Sequence, residues 1–217
     1  MSRDLVIGID CSTTASKAVV WDRTGKAVAT GRRTYGLDHV QSGWVEQNAE
    51  DWWTATSAAL ADAVKQVQAD RIAAVAITHQ RETFVCLDAA GKPLRPGITW
   101  MDIRATAEVG EHGSADVHRI TGKPPNPTPA WYKLLWLRKH EPETIRRTAH
   151  VVDVAGYLVN KLTGEWSTSW ACADPLGLVD LRSFDYDDAL LDKAGLTRSK
   201  VSRLLPPGAI AGGLTPD

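Results

Sequence analysis

Val6-Ile7-Gly8-Ile9-Asp10-Cys11-Ser12-Thr13-Thr14-Ala15-Ser16-Lys17-Ala18-Val19-Val20-Trp21-Asp22 is the stretch that decides how this 217-residue chain is read. Two apolar runs flank a polar turn, the pattern of a β-hairpin. Between the runs lie an aspartate at the end of the first strand, four hydroxyls (Ser12, Thr13, Thr14, Ser16) and one lysine. Small hydroxyl residues let backbone N–H groups approach an anion, and Lys17 adds a point charge. A carboxylate closing a buried strand is costly unless something binds it, and Asp10 is suited to a hydrated magnesium ion, which prefers few carboxylates and several waters. On these residues alone two readings stay open: a loop that receives nucleotide phosphate and metal, or a polar β-turn that returns the chain, since short Ser/Thr turns are common.

The residues beyond the hairpin set the class. Lys17–Trp21 and Ala27–Tyr35 extend it to an antiparallel meander, with a turn at Asp22-Arg23-Thr24-Gly25. The segment 36–47 reads as a loop, and Asn48 as the cap of a helix whose stripe runs through Trp53, Leu60, Val64 and Val67, with Trp52, Ala59 and Ala63 beside it. The short apolar run Ile72–Ile77 then reads as a central parallel strand. At its carboxyl end, where open α/β sheets collect ligands, come His79-Gln80-Arg81-Glu82-Thr83. Phe84–Leu87 is a further strand. Helices follow near 104–111, 130–139, 142 onward, 153–162 and 187–194, and 166–175 reads as irregular. The sum is an α/β chain with a mixed sheet and a mostly helical second part.

Composition excludes several classes. Apolar residues make up 43% and charged residues 24%, as for a globular protein, and the net charge of −1 offers no pull towards nucleic acid or an anionic membrane. Three cysteines, Cys11, Cys86 and Cys172, form neither a metal spacing nor a disulfide framework, which favours a reducing, cytoplasmic setting. No apolar run approaches the ~18 residues of a membrane span. His79 has no partner at ligand spacing and reads as structural.

Five stretches, in order, resemble the amino-terminal half of the FGGY carbohydrate kinases, the group that includes glycerol kinase and xylulokinase. They are Ile9-Asp10-x-x-Thr13-Thr14-x-x-Lys17, Gly43-Trp44-Val45-Glu46-Gln47 with Trp52-Trp53, Ile77-Thr78-His79-Gln80-Arg81-Glu82-Thr83, Trp100-x-x-x-Arg104, and Leu158-x-x-x-Leu162-Thr163-Gly164-Glu165. The resemblance implies a ribonuclease-H-like (actin/hexokinase-type) fold: a mixed five-stranded sheet flanked by helices, with an extra helical region on the substrate side. It implies transfer of the γ-phosphate of ATP to a hydroxyl of a small sugar or polyol, with ATP and Mg2+ as cofactors. By resemblance Asp10 is the metal residue, Thr13, Thr14 and Lys17 face the phosphates, and Arg81, Glu82, Trp100 and Asp102 serve the substrate. An arginine and a carboxylate offer donor and acceptor to neighbouring hydroxyls, although Arg81–Glu82 also reads as a surface pair, Trp100 as core, and Asp102 with Arg104 as a local pair.

The chain departs from the family pattern in three places. Ser12 stands where the family usually has glycine and Ala15 where it often has a hydroxyl. Thr128, in the proline-dense segment Thr121–Pro129, aligns with a substrate-binding tyrosine of glycerol kinase. Thr168-Ser169-Trp170-Ala171-Cys172-Ala173 replaces the family's Thr-Asp-x-Ser-x-Ala. The Arg81–Glu82 pair is also not what ordinary xylulokinases carry. A pentulose such as xylulose is the favoured acceptor, with a tetrose, a tetritol or glycerol as the alternatives; an isolated sugar-binding or interaction module is the non-enzyme alternative. The family's catalytic base lies in a glycine-rich motif of the carboxyl-terminal nucleotide domain. Residues 1–217 are thus expected to be one domain cut before the domain joint, inactive alone, with the missing half, ATP and the sugar as partners and a homodimer left open.

Overall fold

A computed structural model of the chain describes residues 3–216. In chain order its elements are β1 (Leu5–Cys11), β2 (Ala15–Trp21), β3 (Ala27–Thr34), β4 (Asp38–Gln41), β5 (Trp44–Gln47), α1 (Ala49–Val64), β6 (Ile72–His79), β7 (Phe84–Leu87), β8 (Gly97–Ile98), α2 (Thr106–His112), α3 (Ala115–Thr121), α4 (Ala130–His140), α5 (Pro142–Arg147), β9 (His150–Asp153), α6 (Val154–Thr163), β10 (Ser167–Ser169), α7 (Trp170–Ala173), β11 (Val179–Asp180), β12 (Asp185–Tyr186), α8 (Asp188–Lys193) and β13 (Arg203–Leu205). The chain divides into two compact units interleaved in sequence: Met1–Leu37 with Asn48–Gln80, and Asp38–Gln47 with Arg81–Asp217.

The first unit holds a mixed four-stranded sheet in the order β3-β2-β1-β6. β1, β2 and β3 form the expected meander, and β6 runs parallel to β1. The fold class stands, but this sheet has four strands among the described residues, not five, and β6 lies at its edge rather than its centre. β1 is likewise not buried throughout: its residues alternate, with Val6 half exposed and Leu5, Ile7 and Ile9 inside. Alternation marks a sheet with one covered face, and α1 provides the cover. Asn48 caps that helix by accepting from the Glu50 N–H. Its buried face is Ala49, Trp52, Ala55, Thr56, Ala59 and Ala63: of the expected stripe Trp52, Ala59 and Ala63 are buried, while Trp53, Leu60, Val64 and Val67 are only partly so. The helix comes closest at Ala59: a Cβ on Gly31 of β3 would lie 2.1 Å from the Ala59 carbonyl oxygen, so only small side chains fit at that crossing.

The second unit is built on an antiparallel sheet in the order β4-β5-β8-β7-β9. The segment 36–47, read from sequence as loop, contributes the β4–β5 hairpin, turning at Ser42-Gly43 with Gly43 at φ 76. Asp38–Gln41 is exposed along its length, so it lacks the alternation by which strands are recognised. Against the sheet lies α4, buried from Ala130 through Leu137. Trp131, Tyr132, Leu134 and Leu137 pack with Phe84 and Ile98 in one core, each large apolar side chain contributing about 1.5–3 kcal/mol by its removal from water. α3, capped by the Ser114 hydroxyl, and β10 with α7 occupy stretches where the sequence pattern shows no element. Asp153 caps α6 by accepting from Gly156 N–H, and Gly164 closes it in the left-handed conformation. Among the described residues no helix is long and apolar enough to cross a membrane.

Candidate functional site

The first unit carries the phosphate-side candidates. Asp10 and Lys17 are register partners across β1 and β2, so both point to the same face of the sheet, and both are exposed. Exposure removes the premise that burial alone demands a ligand for Asp10. Its Oδ2 instead accepts a 2.6 Å hydrogen bond from the Ser12 hydroxyl, so the serine that replaces the family's glycine orients the carboxylate. The turn Ser12-Thr13-Thr14 closes through Ser12 N–H on the Ala15 carbonyl at 2.9 Å. Thr13 is half-buried and Thr14 exposed.

Tyr35, which the sequence reading passed over, fastens this turn. Its hydroxyl donates to the carbonyl oxygens of Ser12 and, at 3.3 Å, Ala15, and lies 3.2 Å from Cys11 Sγ. Burial pushes the Tyr35 phenol above its ordinary range, so it stays a donor at any physiological pH. Ser16 Oγ and Thr56 Oγ1, buried and 2.8 Å apart, tie β2 to α1. The turn is thus held from beneath while Asp10, Thr14 and Lys17 stay accessible.

The second unit carries the acceptor-side candidates. Arg81, Glu82 and Thr83 form the link into β7. Glu82 has φ 61, in the left-handed region that a long side chain adopts only when its surroundings enforce it. Its carboxyl is half-buried, and burial raises its pKa above the ordinary carboxylate value while Arg81, Lys133 and Lys123 pull the other way. Thr83 Oγ1 accepts from the Trp100 N–H at 3.1 Å, joining this link to the Trp100 loop. Trp100 is 41% exposed, so its indole is not core; the plain-core reading of this residue does not hold.

Arg81 has a side chain 53% exposed and is held at one end: its Nη2 donates to Asp174 Oδ1 at 2.8 Å, while Lys123 bonds the other oxygen of the same carboxylate. The partner of Arg81 is therefore Asp174 and not its sequence neighbour. Asp174 and Lys123 join the candidate site through Arg81, a link that sequence reasoning missed. The one available signal was an aspartate just beyond the stretch where the family's own aspartate and serine are replaced.

Asp102 departs from the expected substrate contact. It is wholly buried and both its oxygens are engaged: Oδ2 with Val45 N–H at 2.6 Å and Arg104 Nη2 at 2.7 Å, Oδ1 with Arg104 N–H and Nε at 2.9 Å each. Arg104 in turn reaches Glu46 Oε1 at 2.7 Å, which also takes Arg95, and its guanidinium lies 4.1 Å from the Trp44 ring centroid and 5.1 Å from that of Trp136. The Gly-Trp-Val-Glu-Gln and Trp-x-x-x-Arg motifs thus meet in a buried ion network that fixes the backbone behind Trp100. Thr99 N–H and hydroxyl both donate to the Val45 carbonyl, at 3.1 and 3.0 Å, so that backbone is held on two sides.

Residues 5–217 match the model of the FGGY family of carbohydrate kinases, N-terminal domain, and the chain belongs to that family. It is 33% identical to a xylulose kinase of Streptomyces rubiginosus over 216 residues, which is 96% of this chain and 44% of that protein. It is 32% identical to a glycerol kinase of Thermococcus gammatolerans over 202 residues, 88% of this chain and 41% of that one. Among solved structures it resembles the xylulose kinase of Rhodospirillum rubrum with a TM-score of 0.92 at 29% identity, covering 98% of this chain and 45% of that one. The gluconate kinase of Lactobacillus acidophilus gives 0.93 at 26% identity, covering 98% and 44%. The chain spans a little under half the length of the relatives it matches.

Proposed function

We propose that the chain is the amino-terminal, substrate-binding half of an ATP-dependent kinase that phosphorylates a hydroxyl of a small sugar, a pentulose such as xylulose being favoured. The observation that carries the acceptor site, though not the choice of a pentulose, is the Arg81–Glu82 pair beside Trp100. A guanidinium fixed at one end by Asp174 leaves N–H donors for substrate hydroxyl oxygens, the Glu82 carboxylate accepts from a hydroxyl, and the exposed indole offers a flat face to a carbon skeleton. Membership in a family of carbohydrate kinases supports the reaction class, and the xylulose kinase relatives support the pentulose. Glycerol is the second reading, favoured by the Arg81–Glu82 pair that glycerol kinase shares and opposed by Thr128 in place of its tyrosine.

In the proposed transfer the acceptor oxygen bonds to the γ-phosphorus as the bond from that phosphorus to the leaving ADP oxygen breaks. The acceptor proton passes to a base outside this chain. The residues here supply positioning and charge, which is most of what phosphoryl transfer asks of a protein. Lys17 and the Thr13 and Thr14 groups would hold phosphate oxygens. Asp10 would hold magnesium through its waters, and its fit is good: an accessible carboxylate with one oxygen steadied by Ser12 and the other open. A bound magnesium ion would neutralise charge on the phosphates.

The test is ADP release from the full polypeptide its gene encodes, against tetroses, pentuloses, hexuloses, glycerol and tetritols. Turnover of a pentulose is expected, as is no turnover by residues 1–217 alone. Glu82→Ala should raise the acceptor KM by about tenfold or more and leave the KM for ATP within about twofold. Release of ADP with no acceptor in the panel, or equal effects of Glu82→Ala on both constants, would refute the assignment.

A further inference from the structure

The second unit contains a charge that the proposed site does not yet use. Lys133, in the second turn of α4, is entirely buried, an uncommon place for an ammonium group. Its Nζ donates to the Thr99 carbonyl at 2.8 Å and to the Thr128 carbonyl at 2.9 Å. Thr99 immediately precedes Trp100. Thr128 lies in the proline-dense segment that includes Lys123, the residue sharing Asp174 with Arg81. A single side chain therefore joins two segments of backbone, each leading to a candidate acceptor contact.

The groups that act electrostatically on this ammonium are the carboxylates of Asp102 and Glu82, which favour its charge, and the guanidinium of Arg104, which opposes it. Asp102 is already neutralised by Arg104. Among the described residues Glu82 has no such close partner: Arg81 turns to Asp174, so Lys133 and Lys123 are the other cations acting on the Glu82 carboxylate. A purely structural lysine would need only the two carbonyl bonds. This one also bears on the ionisation of the residue assigned to accept the substrate hydroxyl.

We propose that Lys133 is a positioning residue for acceptor binding, holding the Trp100 and Thr128 segments together. The proposal rests on the acceptor-side reading given above. Burial draws the Lys133 pKa down to about 7, within the range where enzymes work. Acceptor binding is then expected to weaken as pH rises through about 7, because loss of the charge weakens the bonds from Nζ to the two carbonyls and leaves Glu82 with less positive charge near it.

The experiment is steady-state kinetics of wild type, Lys133→Met and Lys133→Arg in the full polypeptide, with the acceptor found by the ADP-release panel, between pH 5.5 and 9. Wild-type kcat/KM for the acceptor should fall across neutral pH while kcat/KM for ATP does not. Lys133→Met should raise the acceptor KM about 10- to 100-fold, the loss expected for removing a charged hydrogen-bonding group, leave the KM for ATP nearly unchanged and abolish the fall. Lys133→Arg keeps a charge that does not titrate, so it should recover part of the affinity with a flat profile. Parallel losses for acceptor and ATP, or a wild-type acceptor profile flat across neutral pH, would overturn the proposal. If Lys133→Met does not fold by circular dichroism, the wild-type profile and its flattening in Lys133→Arg decide. Absence of any acceptor turnover by wild type refutes the acceptor-side reading itself, and the proposal with it. Turnover without the Lys133 effects refutes the proposal alone.

Discussion

The β1–β2 hairpin of the first unit and the Arg81–Trp100 region of the second solve the same problem of presenting polar groups in opposite ways. The hairpin fixes its backbone and leaves its candidate side chains in water: Tyr35 and Ser16 act from the buried side, and Asp10 and Lys17 stand exposed on one face. The proposed acceptor region buries charge beneath its exposed groups, with Arg104, Asp102, Glu46 and Arg95 linked behind the Trp100 loop and Lys133 under both flanking segments. A phosphate chain can be gripped by backbone and a few charges whose exact rotamers matter little. A small neutral polyol offers only hydroxyl directions, so the groups that read it have to be held rigidly, and buried ion pairs do that at a cost in desolvation.

That contrast can be broken most sharply at Arg104. Arg104→Leu leaves Asp102 and Glu46 buried with less positive charge, and removing one partner of such a set typically costs about 3–5 kcal/mol. Urea unfolding followed by tryptophan fluorescence should show a loss of that size; a loss under about 1 kcal/mol would mean that the network adds nothing beyond packing. Asp10→Asn probes the other region. It keeps shape on an exposed face, so stability should hold, while kcat in the full polypeptide should drop by about 100-fold or more for loss of a charge that the transition state needs; turnover within about twofold of wild type would remove Asp10 from the reaction. Tyr35→Phe is the mildest. It deletes the hydroxyl bonds to the turn and should cost about 1 kcal/mol in the same unfolding experiment, with a rise in the KM for ATP and none for the acceptor. A rise in the acceptor constant instead would show that the hairpin does not serve the phosphate side.

Most elements were legible because their signals are local. The hairpin, the Asn48 cap, the Asp153–Gly164 helix and the apolar strand Phe84–Leu87 each declare themselves within a few residues. The errors arose where a distant surface decided. Trp53 and Leu60 make a good helical stripe, yet α1 turns Trp52 and the alanines beside it inward, with Gly31 bringing β3 close against Ala59. Asp38–Gln41 is a strand only because β5 pairs with it. The four-stranded count, and β6 at the edge, are properties of pairing and not of any one segment.

The candidate site divides in the same way. Which residue types are candidates (a carboxylate and lysine across a hydroxyl-rich turn, an arginine–glutamate pair, a tryptophan four residues before an arginine) follows from the sequence and its family order, since spacing along a strand or turn sets which side chains share a face. Which of them touch is a matter of tertiary structure. Asp102 is spent on Arg104 and the Val45 N–H, Arg81 pairs with Asp174 across 93 residues of chain, Ser12 steadies Asp10, and Lys133 ties Thr99 to Thr128. Hydrogen bonds and ion pairs have reaches of a few ångströms and no memory of sequence distance, so only the folded chain could say which charges are buried in pairs and which are left to meet a substrate.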